Sequence, residues 1–118
     1  AAFLPAPLMT TYHATKAFVQ SFSRGLNFEL RKTGVTVIAI CPGATTSRFQ
    51  SQAGMEHIKL VNSSKLPTAD EVAKDAYRAI TARKTVYVTG LGNRFQVFLT
   101  RFTPTSLVMR VTELLYRS

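Results

Sequence analysis

Six residues, Val35-Thr36-Val37-Ile38-Ala39-Ile40, restrict the fold of this chain more than any other stretch. They form a β-branched, nearly continuous apolar run, without the alternation of a strand that shows one face to water. A strand of this kind is covered on both faces, as in a parallel sheet flanked by helices. Pro42-Gly43 ends it.

The flanking sequence supplies the helices. From about Thr11 to Lys32 there is no proline, and Phe18, Val19, Phe22, Leu26 and Leu30 share one broad arc at about 100° per residue. Gly34 closes that helix. The stretch from Ala44 to Pro67 is polar, with at most a short helix near Gln50 to Ile58, and loops of this length are commonly functional. Thr68-Ala69-Asp70-Glu71 matches a capping box, so a helix is expected from there to about Arg83. Thr85 to Thr89, ending at Gly90, reads as a second strand. Two amphipathic helices, about Asn93 to Phe102 and Ser106 to Tyr116, follow on either side of Pro104. The order is that of an α/β fold with a parallel sheet. Two strands are too few to form such a sheet alone, so further strands are expected before Ala1. No repeat or linker divides residues 1–118, which read as the carboxyl-terminal part of one domain with an amphipathic tail over 91–118.

Composition narrows the function. An apolar content of 46% supports a core and argues against disorder. The net charge of +9 would suit a polyanion, but the positives are scattered, apart from Arg94, Arg101, Arg110 and Arg117, and no nucleic-acid-binding motif accompanies them. No nucleic-acid partner is expected. His13, His57 and Cys41 are too few and too irregularly spaced for a zinc site, so no metal is expected. Cys41 is the only cysteine, which excludes an intrachain disulfide and fits a reducing, cytoplasmic setting. No apolar run approaches the ~20 residues of a transmembrane helix.

Chemistry points to Tyr12 and Lys16. Four residues apart at the start of the long helix, they project on one face, and an ammonium beside a phenol favours the phenolate. Four tyrosines and six lysines produce such a pair by chance in about one chain in five of this size, so the spacing alone carries little weight. Its context carries more. Pro42-Gly43 stands at the carboxyl end of a parallel-type strand, where ligands bind in open α/β sheets, and a long polar loop begins there.

The run Thr11-Tyr12-His13-Ala14-Thr15-Lys16 resembles the Tyr-x-x-x-Lys active-site helix of the short-chain dehydrogenases/reductases. Cys41-Pro42-Gly43 with Ser47 resembles that family's Pro-Gly-x-x-x-Thr cofactor motif, with serine in place of threonine. The resemblance implies a Rossmann-like, doubly wound parallel sheet, incomplete here, and an NAD- or NADP-dependent oxidoreductase interconverting a carbonyl and a secondary alcohol. It implies Tyr12 as general acid/base, with Lys16 favouring its ionisation and binding the nicotinamide ribose. Pro42, Gly43, Thr45 and Ser47 would line the nicotinamide side. The family's serine, thirteen residues before its tyrosine, would fall two positions before Ala1, and its glycine-rich loop further upstream. The isolated residues 1–118 are therefore expected to bind no cofactor and to be inactive. A non-catalytic binding or lipid-associated module of the same fold is the alternative.

The remaining candidates receive ordinary roles. His13 points about 100° away from Tyr12 and is expected at the surface or an interface. Cys41 reads as an inert small hydrophobe. Tyr77, Tyr87 and Tyr116 have no lysine four residues on and read as packing residues. The helix at 11–32 is the expected homo-oligomer contact. The tail at 91–118, rich in arginine, fits either a packed helical cap or peripheral contact with an anionic membrane.

Overall fold

The computed structural model describes residues 1–45 and 66–116. The first long helix, α1, spans Thr10–Glu29 and runs into a 3-10 turn over Leu30–Lys32. Strand β1 covers Ala39–Cys41, helix α2 Ala69–Thr81, strand β2 Val86–Val88, and helices α3 and α4 Leu91–Thr100 and Thr105–Tyr116. β1 and β2 pair in parallel, with Ala39 opposite Val86 and Cys41 opposite Val88. Their connection carries α2, which is the strand–helix–strand unit of an α/β fold. The expected short helix near Gln50 to Ile58 lies outside the described residues.

Local chemistry accounts for the element boundaries. Thr68 accepts the backbone N–H of Glu71, and the Glu71 carboxylate accepts the backbone N–H of Thr68 at 2.8 Å, so the capping box is complete. The backbone and side-chain hydrogen bonds of Thr68 hold the Glu71 carboxyl below its ordinary range. A carboxyl lowered on folding stabilises above its unfolded pKa, and that contribution fades as pH falls through the folded value, so the cap weakens only in acid. Losing an N-cap threonine of this kind costs about 1 kcal/mol. At the other end of the unit, Gly90 adopts φ 78, which a side chain would resist, and turns the chain from β2 directly into α3.

The strands are shorter than the apolar runs that announce them. Of Val35 to Ile40 only the last two residues, with Cys41, join the ladder. The Val37 N–H goes instead to Asn27 Oδ1 at 2.9 Å, tying α1 to the strand's approach. A ladder extends only as far as its neighbour, and β2 offers three residues. The buried apolar side chains among the described residues are Ala6, Ala39 and Ala79, and no large side chain is fully buried. The apolar arc of α1 stands open, with Phe18 and Phe22 at 68% and 59% exposure and their rings stacked at 6.1 Å. A face of this kind calls for cover from outside these residues.

Candidate functional site

α1 begins after a turn. Leu8 sits at φ 66, and the Met9 N–H closes back on the Ala6 carbonyl at 3.3 Å, so residues 1–9 fold against the end of the helix that carries Tyr12. Tyr12 is half-buried and lines a concavity of about 370 Å³ with Leu8, Met9, Thr10 and Thr11. Lys16, one turn on, is exposed and holds its Nζ 5.4 Å from the centre of the Tyr12 ring. The pair expected from spacing thus stands on one face, with the ammonium over the ring, an attraction of the cation–π type.

The second half of the site is the carboxyl end of β1. Pro42 is exposed, Gly43 and Thr45 are half-buried, and the Thr45 hydroxyl donates to the Gly43 carbonyl at 3.0 Å, tightening the turn. Ser47 lies outside the described residues. Burial pushes the Cys41 thiol up. A thiol held protonated is a poor nucleophile, which agrees with its reading as an inert residue.

Two residues escape sequence reasoning. His13, expected at the surface or an interface, is 3% exposed and bonded at both nitrogens, to the Leu4 carbonyl and the Tyr116 hydroxyl. Helical angle places it away from Tyr12, but residues 1–9 and α4 cover that side of the helix, and nothing local announces this. Asn93, in the first turn of α3, donates from Nδ2 to the Thr89 carbonyl at 2.8 Å and lies flat against Gly43. A Cβ on Gly43 would meet the Asn93 carboxamide, with Cγ at 2.8 Å and Oδ1 at 2.9 Å. Gly43 therefore serves a close approach rather than a special dihedral. Asn93 also lines a cleft of about 290 Å³ with Ala44, Leu66, Pro67, Gly90, Gly92 and Gln96, at the carboxyl ends of both strands. Beneath it the buried Thr89 hydroxyl has no hydrogen-bond partner among the described residues. No group of acidic, histidine or cysteine side chains suited to a metal occurs among the described residues.

Comparison with known proteins bears on the family and the fold. Residues 1–57, which hold Tyr12, Lys16, Pro42 and Gly43, match the family model described as short chain dehydrogenase. The fold superimposes on a short-chain dehydrogenase from Sphingobium yanoikuyae in complex with NADPH, with a TM-score of 0.64 and 31% identity, covering 80% of this chain and 36% of that one. The chain belongs to the short-chain dehydrogenase/reductase family, and the two strands and four α-helices seen among the described residues are a portion of that family's Rossmann-like fold. Among relatives, the mouse 17-beta-hydroxysteroid dehydrogenase type 3 is 32% identical over 81 residues, 69% of this chain and 24% of that protein. The very-long-chain 3-oxoacyl-CoA reductase of Anas platyrhynchos is 48% identical over 42 residues, 36% of this chain and 14% of that protein. The chain spans a quarter or less of the length of these two curated relatives.

Proposed function

We propose that the protein containing these residues is an NAD(P)-dependent oxidoreductase that interconverts a carbonyl and a secondary alcohol, with Tyr12 as the proton-transferring group. The observation that carries this reading is the Tyr12–Lys16 pair on one face of α1, its ammonium 5.4 Å from the phenol ring centre. Family membership and the NADPH held by the Sphingobium structure support it.

The donor set suits a nicotinamide nucleoside: an ammonium for a sugar diol, and a small, partly exposed turn at a strand end with a threonine hydroxyl for a flat ring and its carboxamide. Lys16 would hold the ribose, while Pro42, Gly43, Thr45 and Ser47 would line the ring. When bound, the reduced nicotinamide supplies the hydride that reaches the carbonyl carbon. Tyr12 gives its phenolic proton to the carbonyl oxygen as negative charge develops there, and Lys16 stabilises the phenolate left behind. In the reverse direction the phenolate takes the alcohol proton. The relatives named for hydroxysteroids and very-long-chain 3-oxoacyl-CoA favour an apolar carbonyl compound as substrate. The test is NADPH consumption by the full-length protein with a panel of apolar ketones and 3-oxoacyl thioesters. Turnover is expected for the whole protein, with neither turnover nor NADPH binding by residues 1–118 alone. A full-length protein that binds NADPH but reduces none of the panel would favour a non-catalytic module.

The open face of α1 favours a homo-oligomeric contact. Phe18 and Phe22 stack there with Val19 beside them, all exposed. In the full-length protein, Phe18→Asp with Phe22→Asp is expected to lower the mass measured by light scattering to that of the monomer, and an unchanged mass would exclude α1 as the contact. A second reading concerns α3 and α4. Leu91, Phe95, Phe98, Phe102, Leu107 and Leu114 are exposed beside Arg94, Arg101 and Arg110, which suits the surface of an anionic membrane. No helix among the described residues is long and apolar enough to cross one. Co-sedimentation with phosphatidylserine vesicles that is unaffected by deletion of residues 91–118 would remove that reading.

A further inference from the structure

The end of α1 that carries Tyr12 has no side-chain cap. Its N-cap, Met9, offers no side-chain hydrogen bond, and no acidic residue stands in the first turn. The first turn thus lacks two of the usual local supports for a group that must meet a reacting oxygen. Something else has to hold it.

The buried His13 provides the hold. Nδ1 lies 2.7 Å from the Leu4 carbonyl oxygen, and Nε2 lies 3.2 Å from the Tyr116 hydroxyl. A carbonyl only accepts, so Nδ1 carries a proton, and in the tautomer protonated there alone Nε2 accepts from the Tyr116 hydroxyl. Donation therefore runs from Tyr116 through His13 to Leu4. This joins the last residue of α4 to the first turn of α1 across 103 positions of sequence. The Tyr12 and Tyr116 rings both meet the imidazole edge to face, each with centroids 5.8 Å away and at 73° and 82°. Nearby, the buried Thr112 hydroxyl bonds the Val108 carbonyl at 2.8 Å and approaches the Met109 carbonyl at 3.1 Å and the Pro5 carbonyl at 3.5 Å, bringing α4 against residues 1–9 a second time. Burial, and then the neighbouring Tyr12, raise the Tyr116 phenol above its ordinary value, which keeps it a donor.

We propose that Tyr116 is a positioning residue for Tyr12, fixing through its hydroxyl the His13 ring against which Tyr12 packs. The inference rests on Tyr12 as the proton-transferring group. It gives α4 a task beyond covering the fold: the final helix sets the geometry of proton transfer at the start of α1.

The test uses the full-length protein with NADPH and a ketone it reduces. Tyr116→Phe removes one oxygen and keeps the ring. It is expected to lower kcat by about tenfold while KM for NADPH stays within about twofold, since a displaced proton donor costs rate more than cofactor affinity. His13→Phe is expected to match it, and the double variant to be no worse than either single one, because both break the same tie. His13→Gln, which retains one donor and one acceptor, is expected to recover most of the rate. Should His13→Phe not fold, Tyr116→Phe and His13→Gln still decide. The proposal is overturned if Tyr116→Phe leaves kcat unchanged while Tyr12→Phe abolishes turnover, or if the losses of the two ring variants simply add. Full activity in Tyr12→Phe would overturn the proton-transfer reading itself, and this inference with it.

Discussion

Tyr12→Phe in the full-length protein is expected to lower kcat for NADPH-dependent carbonyl reduction by about 10²- to 10⁴-fold, the usual worth of a positioned general acid. The change removes a single oxygen and leaves the ring that packs on His13 at 5.8 Å and carries the Lys16 ammonium at 5.4 Å. Fold and cofactor affinity should therefore survive, with the loss falling on the chemical step. Steady-state kinetics with a parallel NADPH titration measures the two separately. A kcat within a few-fold of the parent would show that the proton comes from elsewhere. Lys16→Met makes an informative contrast. Lysine is proposed to act on both the phenol and the nicotinamide ribose, so kcat and cofactor affinity should fall together.

Gly43→Ala is expected to produce the second large effect, through sterics rather than chemistry. The added methyl would meet the Asn93 carboxamide, which is held by its 2.8 Å bond to the Thr89 carbonyl at the head of α3. Either Asn93 must give up that bond and rotate away or the turn must move, and overpacking of this kind costs about 1–3 kcal/mol. Because the turn is proposed to face the nicotinamide, NADPH binding should weaken alongside the melting temperature. Adding Asn93→Ala makes room for the methyl group at the expense of one hydrogen bond, so the double variant should regain part of both losses. A Gly43→Ala protein as stable and as tight for NADPH as its parent would show that Asn93 simply swings aside.

Legibility in the sequence followed the range of the interaction. The capping box at Thr68 and Glu71, the helical stretch from residue 10, and the Tyr12–Lys16 face depend on contacts within about one helical turn, and all appear where spacing puts them. The parallel strand pair was also foreseen, since β-branched runs bounded by glycine and proline are themselves local signals. Strand length was not. Val35 and Thr36 carry the composition of a strand yet stay exposed, because a ladder needs a partner and β2 provides only Val86 to Val88. Likewise the arc of Phe18, Val19 and Phe22 told that α1 has an apolar face but not what covers it.

By itself, then, the sequence determined which stretches are helical, though not every helix bound, that the strands run parallel, and that a tyrosine and a lysine share one helix face. Each follows from backbone propensity and side-chain periodicity over a few residues. Only the tertiary structure decided that His13 is interior rather than exposed, that Asn93 occupies the space a side chain on Gly43 would need, and that Tyr116 reaches back to the helix of Tyr12. Those depend on contacts between residues 50 and 103 positions apart. Hydrogen-bonding capacity belongs to a residue, but its partner is chosen by how whole helices dock, and no local pattern encodes that choice.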